Sequence, residues 1–199
     1  MGTHTPPMNN AELKLYLEQH LANELHWLLR AATEWHVQEE LQLQIDGYHV
    51  QVYAMNSAFL HARTLFEFFT KSTCNNYYGC NIYGGISLIT STLYSNRSDG
   101  WQNCLHAYMM HAQDRSSPSQ LISFGSPLIT KDLNKMPIDF AKEIVRLWRE
   151  FVKLLSYNSN PDIQALSKTA EDILNEAIGS TQNVIKSEYV KKRIIPVVW

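Results

Sequence analysis

The sequence predicts an all-α fold: a single-domain antiparallel helical bundle of about five helices, with a long irregular loop between helices two and three. Apolar residues recur three and four positions apart over several long segments, which is the period of one helix face. Residue pairs that begin or end helices, such as Asp46-Gly47 and Asn160-Pro161, stand between those segments. A chain of 199 residues can bury about 70% of its unfolded surface, so it needs no disulfide or metal for stability.

The first two helices carry the strongest pattern. Asn9 or Asn10 can cap helix one, whose leucines repeat at helical spacing to about residue 40. Helix two is expected over residues 49–71. Its segment NSAFLHARTLFEFF, residues 56–69, is apolar around most of the circumference, which predicts a place in the middle of the bundle.

Residues 72–100 break every helical period and form the predicted long loop. Their glycines and asparagines indicate turns, and the stretch ISLITSTLY within them has β-branched character. Loops of this length are often functional, so the segment could be a lid, or a surface excursion with its own short strand or helix. Helix three is then expected over residues 101–115.

Prolines mark the starts of the last two helices. Pro137 suits the first turn of helix four, and Pro161 follows the capping Asn160 at the start of helix five. Gly179 is expected to end helix five as a C-cap. These bounds predict one domain over residues 1–199, with a helical core over about 10–178, a flexible lead over 1–9 and a C-terminal tail over 180–199.

Charge and cysteine content limit the possible functions. With 17 basic and 19 acidic residues the net charge is -2, which argues against broad, charge-driven nucleic-acid binding but permits a local RNA site. Cys74, Cys80 and Cys104 are odd in number and form no CxxC pair, so neither a disulfide scaffold nor a zinc ribbon is expected. A reducing cytoplasm suits them best.

Targeting and cofactor motifs are also missing from the sequence. There is no signal peptide pattern and no apolar run near the ~20 residues of a membrane span, so we expect a cytoplasmic protein without membrane contact. The sequence lacks HExxH, Glu-x-x-His pairs, a Walker A loop and GxGxxG, and we therefore expect neither a metal nor another cofactor.

His111 and Arg115 are the candidate catalytic residues. Four residues apart on a helix, they would share one face. Imidazole can transfer a proton near neutral pH, and guanidinium can stabilise a developing phosphorane, so the pair could cleave RNA without a metal. In the alternative interpretation, both side chains only satisfy the last carbonyls of a helix.

A polar strip on helix two supplies the candidate binding residues. His61 and Arg63 are two apart and so point to different faces, and Arg63 can pair with Glu67 one turn later. Asn56 extends the strip. The alternative is structural: His61 would be a satisfied core histidine, and the strip would only set the register between helices.

Two motifs also resemble a known family. NSAFLHARTLFEFF is similar to the HARxLxDFF helix of a set of small uncharacterised prokaryotic helical proteins, in which a segment of the form H-L-T-x-x-R follows later. HAQDR at residues 111–115 is similar but one residue shorter, and ELHWLLRAA in helix one is in keeping with the set. The resemblance covers roughly residues 10–155.

Those proteins resemble the HEPN superfamily, helical bundles that include RNases of toxin–antitoxin and defence systems. The resemblance implies a metal-free endoribonuclease, or an RNA- or nucleotide-binding derivative, that forms a homodimer with an R-x4-6-H motif from each chain at the interface. Here Arg30 and His36 match that spacing, whereas His111 and Arg115 stand in the reverse order.

The resulting expectation is a HEPN-like protein that binds or cuts RNA as a homodimer. His61, Arg63, His111 and Arg115 would form its polar centre. Two alternatives stay open: a non-catalytic protein-interaction module, and a small-molecule-binding bundle built on the apolar aromatics. If the four residues line one open groove, chemistry or ligand binding is favoured, and if they are separately satisfied and buried, interaction is favoured.

Overall fold

The computed structural model describes residues 7–41, 44–45, 48–74, 77–95, 101–102, 105, 136–185 and 197–199. Within these ranges the fold is all-α, as expected, with a two-residue β pairing. The elements are α1 (Asn10–Leu15), a π-helical segment (Tyr16–Leu21), α2 (Ala22–Leu41), β1 (Gln44–Ile45), β2 (Tyr48–His49), α3 (Val50–Thr70), a 3-10 helix (Cys80–Ile82), α4 (Met136–Ser156) and α5 (Pro161–Ile185).

The first helical run confirms the predicted helix one and adds a feature that was not predicted. Asn9 caps it with a full capping box: Asn9 Oδ1 accepts from the Glu12 amide at 3.0 Å, and Glu12 Oε2 accepts from the Asn9 amide at 2.8 Å. The π-helical segment then interrupts the α-helix. Leucines repeat every four residues through it, a spacing that drifts by about 40° per step on an α-helix. A wider turn reduces that drift and keeps Leu17, Leu21 and Leu25 fully buried.

Helix α3 confirms the predicted helix two and its central position. It packs against both α2 and α4. The alanines and aromatics of its core face interdigitate with those helices, and Phe66 meets Phe140 of α4 edge to face at 5.8 Å. Before α3, Gln44 pairs with His49 and Ile45 with Tyr48 in antiparallel register. The turn predicted at Asp46-Gly47 lies outside the described residues.

Helices α4 and α5 form a hairpin through the short connection 157–160. Pro137 lies in the first turn of α4, and Asn160 caps α5 by accepting from the Asp162 amide at 3.0 Å, as the sequence predicts. Trp148 is fully buried between the two helices, where its indole N–H donates to the carbonyl of Ala170 at 2.8 Å. The hairpin is thereby fixed by both packing and a buried hydrogen bond.

The prediction that α5 ends at Gly179 is wrong, because the helix continues to Ile185. A glycine costs about 1 kcal/mol inside a helix, and the contacts of Thr181 in the following turn offset this cost. Thr181 is 2% exposed, and its hydroxyl accepts from the indole of Trp199 at 3.2 Å. Arg149 also donates to the carbonyl of Trp199 at 3.3 Å. The helical core therefore extends beyond residue 178, and the last residues dock on it.

The described part of the predicted loop, residues 72–74 and 77–95, lies on the core. Ile86, Ile89 and Tyr94 are buried, and the amide of Ile89 donates to the carbonyl of Phe69 at 2.9 Å. No strand forms over residues 86–95, although β-branched residues are frequent there. Apolar side chains hold residues 77–95 against α3 and α4, and the segment contains a short helix of its own, the 3-10 helix Cys80–Ile82.

One turn of this segment needs a glycine. Gly84 has a φ of 63°, in the left-handed region. A Cβ atom at this position would stand 2.7 Å from the side-chain amide nitrogen of Asn158. The turn positions the buried Tyr83, whose hydroxyl donates to the carbonyl of Leu13 at 3.0 Å. The segment is thus tied to α1 as well as to α3.

The predicted helix three falls mainly outside the described residues. Of residues 101–115 the structure describes Trp101, Gln102 and Leu105. Trp101 and Leu105 are buried, and the Trp101 ring packs edge to face on Phe140 at 5.4 Å. Both candidate catalytic residues, His111 and Arg115, lie outside the described residues.

Candidate functional site on helices α2 and α3

His61 meets a glutamate from the neighbouring helix. Its Nδ1 lies 2.9 Å from Oε2 of Glu24 on α2, and the two side chains are 17% and 18% exposed. A hydrogen on Nδ1 donated to Glu24 leaves Nε2 as an acceptor, which is how a carboxylate orients a histidine for proton transfer. The pair agrees with a satisfied histidine near the core, and it also has the geometry of an oriented base.

Trp27 of α2 borders His61 and is itself exposed to solvent. Its ring stacks on that of His61, with centroids 6.4 Å apart and planes 17° apart, yet 54% of the residue is exposed. We name His61, Glu24 and Trp27 the His61 cluster.

A cavity of about 320 Å³ adjoins the His61 cluster along the α2–α3 seam. Trp27 forms one wall, and Tyr53 of α3 lines it one turn before Ser57. Arg30 and Glu34 complete the α2 side and pair with each other, Nε to Oε1, at 2.9 Å. Arg30, the arginine of the R-x4-6-H match, is therefore at the surface, and the structure places His36 half-buried six residues later.

Around the cavity, large apolar side chains are open to solvent. Tyr53 is 65% exposed, and Leu60, seven residues later on α3, is 47% exposed. A seven-residue spacing places both on one side of the helix. We name the surface formed by Trp27, Arg30, Glu34, Tyr53 and Leu60 the aromatic face.

Arg63 belongs to a different cluster, which meets the 77–95 segment. Its Nε lies 3.7 Å from Oε1 of Glu67, and Lys71 donates to the same oxygen at 2.8 Å. The hydroxyl of Tyr94 reaches Glu67 at 3.5 Å, and Lys71 stands 6.0 Å over the Tyr94 ring. The i,i+4 pairing predicted for Arg63 and Glu67 is thus present. We name these four residues the Arg63 cluster.

Burial dominates the electrostatics of the Arg63 cluster. Desolvation, followed by the charge of Glu67, raises the pKa of Tyr94 well above its usual range, so the phenol stays protonated. In the part of the chain that the structure describes, nothing accepts a hydrogen bond from the buried Nε of Arg63. Asn56, the remaining member of the predicted strip, is half-buried seven residues before Arg63.

The structure therefore separates two of the four residues expected to form one polar centre. His61 pairs with Glu24 and Arg63 pairs with Glu67, on different sides of α3. Sequence reasoning missed Glu24 as the partner of His61. The position of Glu24 among Leu21, Leu25 and Leu28 could have identified it, because these helical spacings place its side chain beside the buried stripe.

Within the described ranges, no three residues of the His, Cys, Asp and Glu types are arranged to hold a metal ion. None of the helices described here has the length and apolar character needed to cross a membrane. Cys80 is buried in the 72–95 segment, where desolvation raises the pKa of its thiol to about 11, so it is a poor nucleophile.

Comparison with known proteins gives no family assignment: no protein-family model, no curated protein and no solved structure matches the chain.

Proposed function

We propose that the protein is a protein-interaction module that binds a second copy of itself through the aromatic face of α2 and α3. One observation carries the proposal: Trp27 and Tyr53, which line the cavity, are 54% and 65% exposed, and Leu60, seven residues after Tyr53 on α3, is 47% exposed. Exposed aromatic residues with a neighbouring arginine are the composition of interface hot spots. Burying these side chains against a partner would remove their apolar surface from water, and this would stabilise the complex.

The charges on the aromatic face favour a second copy as the partner. Arg30 and Glu34 stand one turn apart, and both are at the surface. In a two-fold symmetric interface, Arg30 of one chain can face Glu34 of the other, and the reverse contact follows by symmetry. The presence of one positive and one negative charge also disfavours RNA on this face, because phosphate contacts need uncompensated positive charge. Arg30 is the one cationic residue among the described cavity-lining residues, and Glu34 neutralises it.

Sedimentation equilibrium tests the proposal directly. We expect the wild-type chain to dimerise and Trp27→Ser to raise the dimer dissociation constant about thirtyfold, since the change occurs once in each chain and costs about 2 kcal/mol in total. Tyr157→Ser is the matched control, because Tyr157 is 76% exposed at the α4–α5 turn, away from this face. A monomeric wild type at high concentration, or equal effects of the two substitutions, would contradict the proposal.

A charge exchange identifies the contact itself. Arg30→Glu and Glu34→Arg should each weaken self-association, because the symmetric contact then joins like charges. Mixing the two variants should restore dimerisation as a heterodimer, in which each contact again joins opposite charges. Two weakened variants that do not rescue each other would place Arg30 and Glu34 outside the interface.

Metal-independent RNA cleavage by a HEPN-like fold is the second candidate, and the Glu24–His61 contact favours it. A histidine oriented by a carboxylate can act in proton transfer, and His111 and Arg115 could supply a further acid and a phosphate clamp. An RNA partner is expected only in this candidate. It ranks second because His61 and Arg63 each pair with a separate carboxylate and are mostly buried.

Cleavage of a mixed RNA pool in EDTA tests this candidate with wild type, His61→Asn, His111→Ala and Arg115→Ala. Cleavage by wild type that is lost in His61→Asn would place the chemistry at the His61 cluster. Loss confined to His111→Ala and Arg115→Ala would place it at that helix pair. His20→Ala is the control, since His20 stacks on Tyr16 outside the His61 cluster. No cleavage by wild type would leave the interaction module as the function.

A further inference from the structure

A second cavity, of about 400 Å³, opens beside the π-helical segment, on a different surface from the aromatic face. Tyr16 and His20 of that segment line it, with Tyr78 of the 77–95 segment and Glu12 of α1. Cavities of this volume accommodate small molecules. Isolated π-helical turns inside α-helices frequently occur at functional sites, because the widened turn changes the direction of its side chains. Here it brings two rings from one turn into the same cavity.

Three aromatic rings form the walls of this cavity. Tyr16 stacks on His20 with centroids 5.0 Å apart and planes 23° apart, and it meets Tyr78 at 5.6 Å and 65°. Because the planes of the Tyr16 and Tyr78 rings are inclined by 65°, these two rings form adjoining walls of the cavity. The Tyr16 ring also contacts the buried ring of Phe68, with centroids 6.4 Å apart. Burial raises the pKa of Tyr16 to about 12, so its ring stays a neutral phenol at physiological pH.

The charge of the lining selects the class of ligand. Glu12 supplies a carboxylate, and its Oε2 is oriented by the amide of Asn9 at 2.8 Å. Neither lysine nor arginine is among the described residues that line the cavity. Aromatic faces carry negative electrostatic potential, and a carboxylate beside them adds a full negative charge. The lining therefore suits a cation that is large and weakly hydrated.

We propose that this cavity binds a small ligand that carries a quaternary ammonium group, with the methylated nitrogen against Tyr16 and Tyr78 and with Glu12 compensating its charge. Cages of aromatic rings with a carboxylate suit such groups because the methyl groups pack on the rings while the positive charge meets their π faces. The proposal is independent of self-association, since it uses none of the residues of the aromatic face.

The test is an NMR titration of the full chain with choline and with 3,3-dimethyl-1-butanol, its uncharged isostere. We expect saturable shifts at the amides of residues 16–21 with choline, and affinity about tenfold weaker for the isostere. A peptide containing trimethyllysine is titrated in the same way. Tighter binding of choline would indicate a free ammonium compound as the ligand, and tighter binding of the peptide would indicate a modified side chain. Equal affinity for choline and its isostere, or no saturable shift with either cation, would overturn the proposal.

Two variants localise the site. Glu12→Gln removes the charge but can keep the capping box, because glutamine also accepts at that position. Tyr78→Leu removes one ring. Each should weaken choline binding about three- to fivefold. Glu18→Gln and Tyr157→Leu are the matched controls, as they make the same changes outside the lining. Unchanged affinity in both Glu12→Gln and Tyr78→Leu would show that choline binds elsewhere and overturn the assignment.

Discussion

His61 and Arg63 stand two residues apart on α3, and each meets a glutamate, but the surroundings of the two contacts differ. The His61–Glu24 contact joins two helices and is bordered by Trp27, which is half exposed. The Arg63–Glu67 contact lies within one helix and is bordered by Tyr94, which is 3% exposed. The pairs themselves are similarly buried. The difference lies in the aromatic ring that borders each of them.

That difference separates a structural cluster from a candidate binding surface. Tyr94 stacks on Phe66 with centroids 4.7 Å apart and planes 3° apart, so the Arg63 cluster fixes the 77–95 segment on α3. Trp27 instead is 54% exposed and lines a cavity. A charged pair alone does not distinguish the two roles. If the two clusters divide stability and binding in this way, substitutions in them should have opposite effects on folding and on self-association.

The largest effect is expected at Tyr94. Tyr94→Ala removes a buried ring stacked on Phe66, and we expect the free energy of unfolding to fall by about 3 kcal/mol, measured by urea denaturation. Tyr94→Phe keeps the ring and loses the long 3.5 Å contact to Glu67, so it should cost less than about 1 kcal/mol. If Tyr94→Ala costs no more than Tyr94→Phe, the ring does not anchor the segment.

Glu67 should have the next largest effect. Glu67→Gln removes the carboxylate that pairs with the mostly buried Arg63 and Lys71, and we expect a loss of about 2 kcal/mol in unfolding free energy. Glu34→Gln is the matched control, because Arg30 and Glu34 form the same i,i+4 pair at 59% and 35% exposure. It should cost less than about 0.5 kcal/mol, measured well below the dimer dissociation constant. Equal losses would mean that burial does not distinguish the clusters.

Glu143 of α4 attaches the 77–95 segment at residues 90 and 91, and its ionisation makes the stability of this attachment depend on pH. It accepts from Ser91 at 2.6 Å and from Arg146, which also donates to the carbonyl of Thr90 at 2.9 Å. Burial alone would raise the pKa of Glu143, but these hydrogen bonds outweigh it, and the pKa lies below its ordinary 4.5. Its contribution to stability is therefore full above the ordinary value and is lost as the pH falls through the lowered pKa.

We accordingly expect Glu143→Gln to lower the unfolding free energy by about 1 kcal/mol at pH 7. The difference from wild type should shrink as the pH is lowered below 4.5, because the wild-type carboxyl then becomes protonated. Urea denaturation of both proteins across this range measures it. A difference that stays constant between neutral and acidic pH would contradict the role of the ionised carboxylate.

Local signals predicted much of the fold. The caps at Asn9 and Asn160 and the bounds of α3 follow from side-chain hydrogen bonding and from periodicity, which act within a few residues. Gly179 shows where local rules fail, because the helix continues to Ile185 and the buried Thr181 of the following turn accepts from Trp199. The π-helical segment is not predicted, because the four-residue leucine repeat of this region is also compatible with an ordinary α-helix.

The candidate site was less predictable, because its contacts are long-range. Glu24 and His61 are separated by 37 positions, and Tyr94 reaches Glu67 across 27. Periodicity identified His61 and Arg63 as polar residues in an apolar helix and placed them on different faces. It could not name the helix or segment that each would meet, since that choice depends on how the helices pack.

The smallest effect on stability is expected at the aromatic face, where the effect on association should be largest. Trp27→Ser removes a half-exposed ring, and its stack on His61 is open to water on one side. We expect the unfolding free energy to change by no more than about 0.5 kcal/mol when measured well below the dimer dissociation constant. Tyr94→Ala should behave in the opposite way, with a large loss of stability and little change in self-association under native conditions. A loss of stability in Trp27→Ser comparable to that of Tyr94→Ala would make Trp27 part of the core, and the division of binding and stability between the His61 and Arg63 clusters would no longer hold.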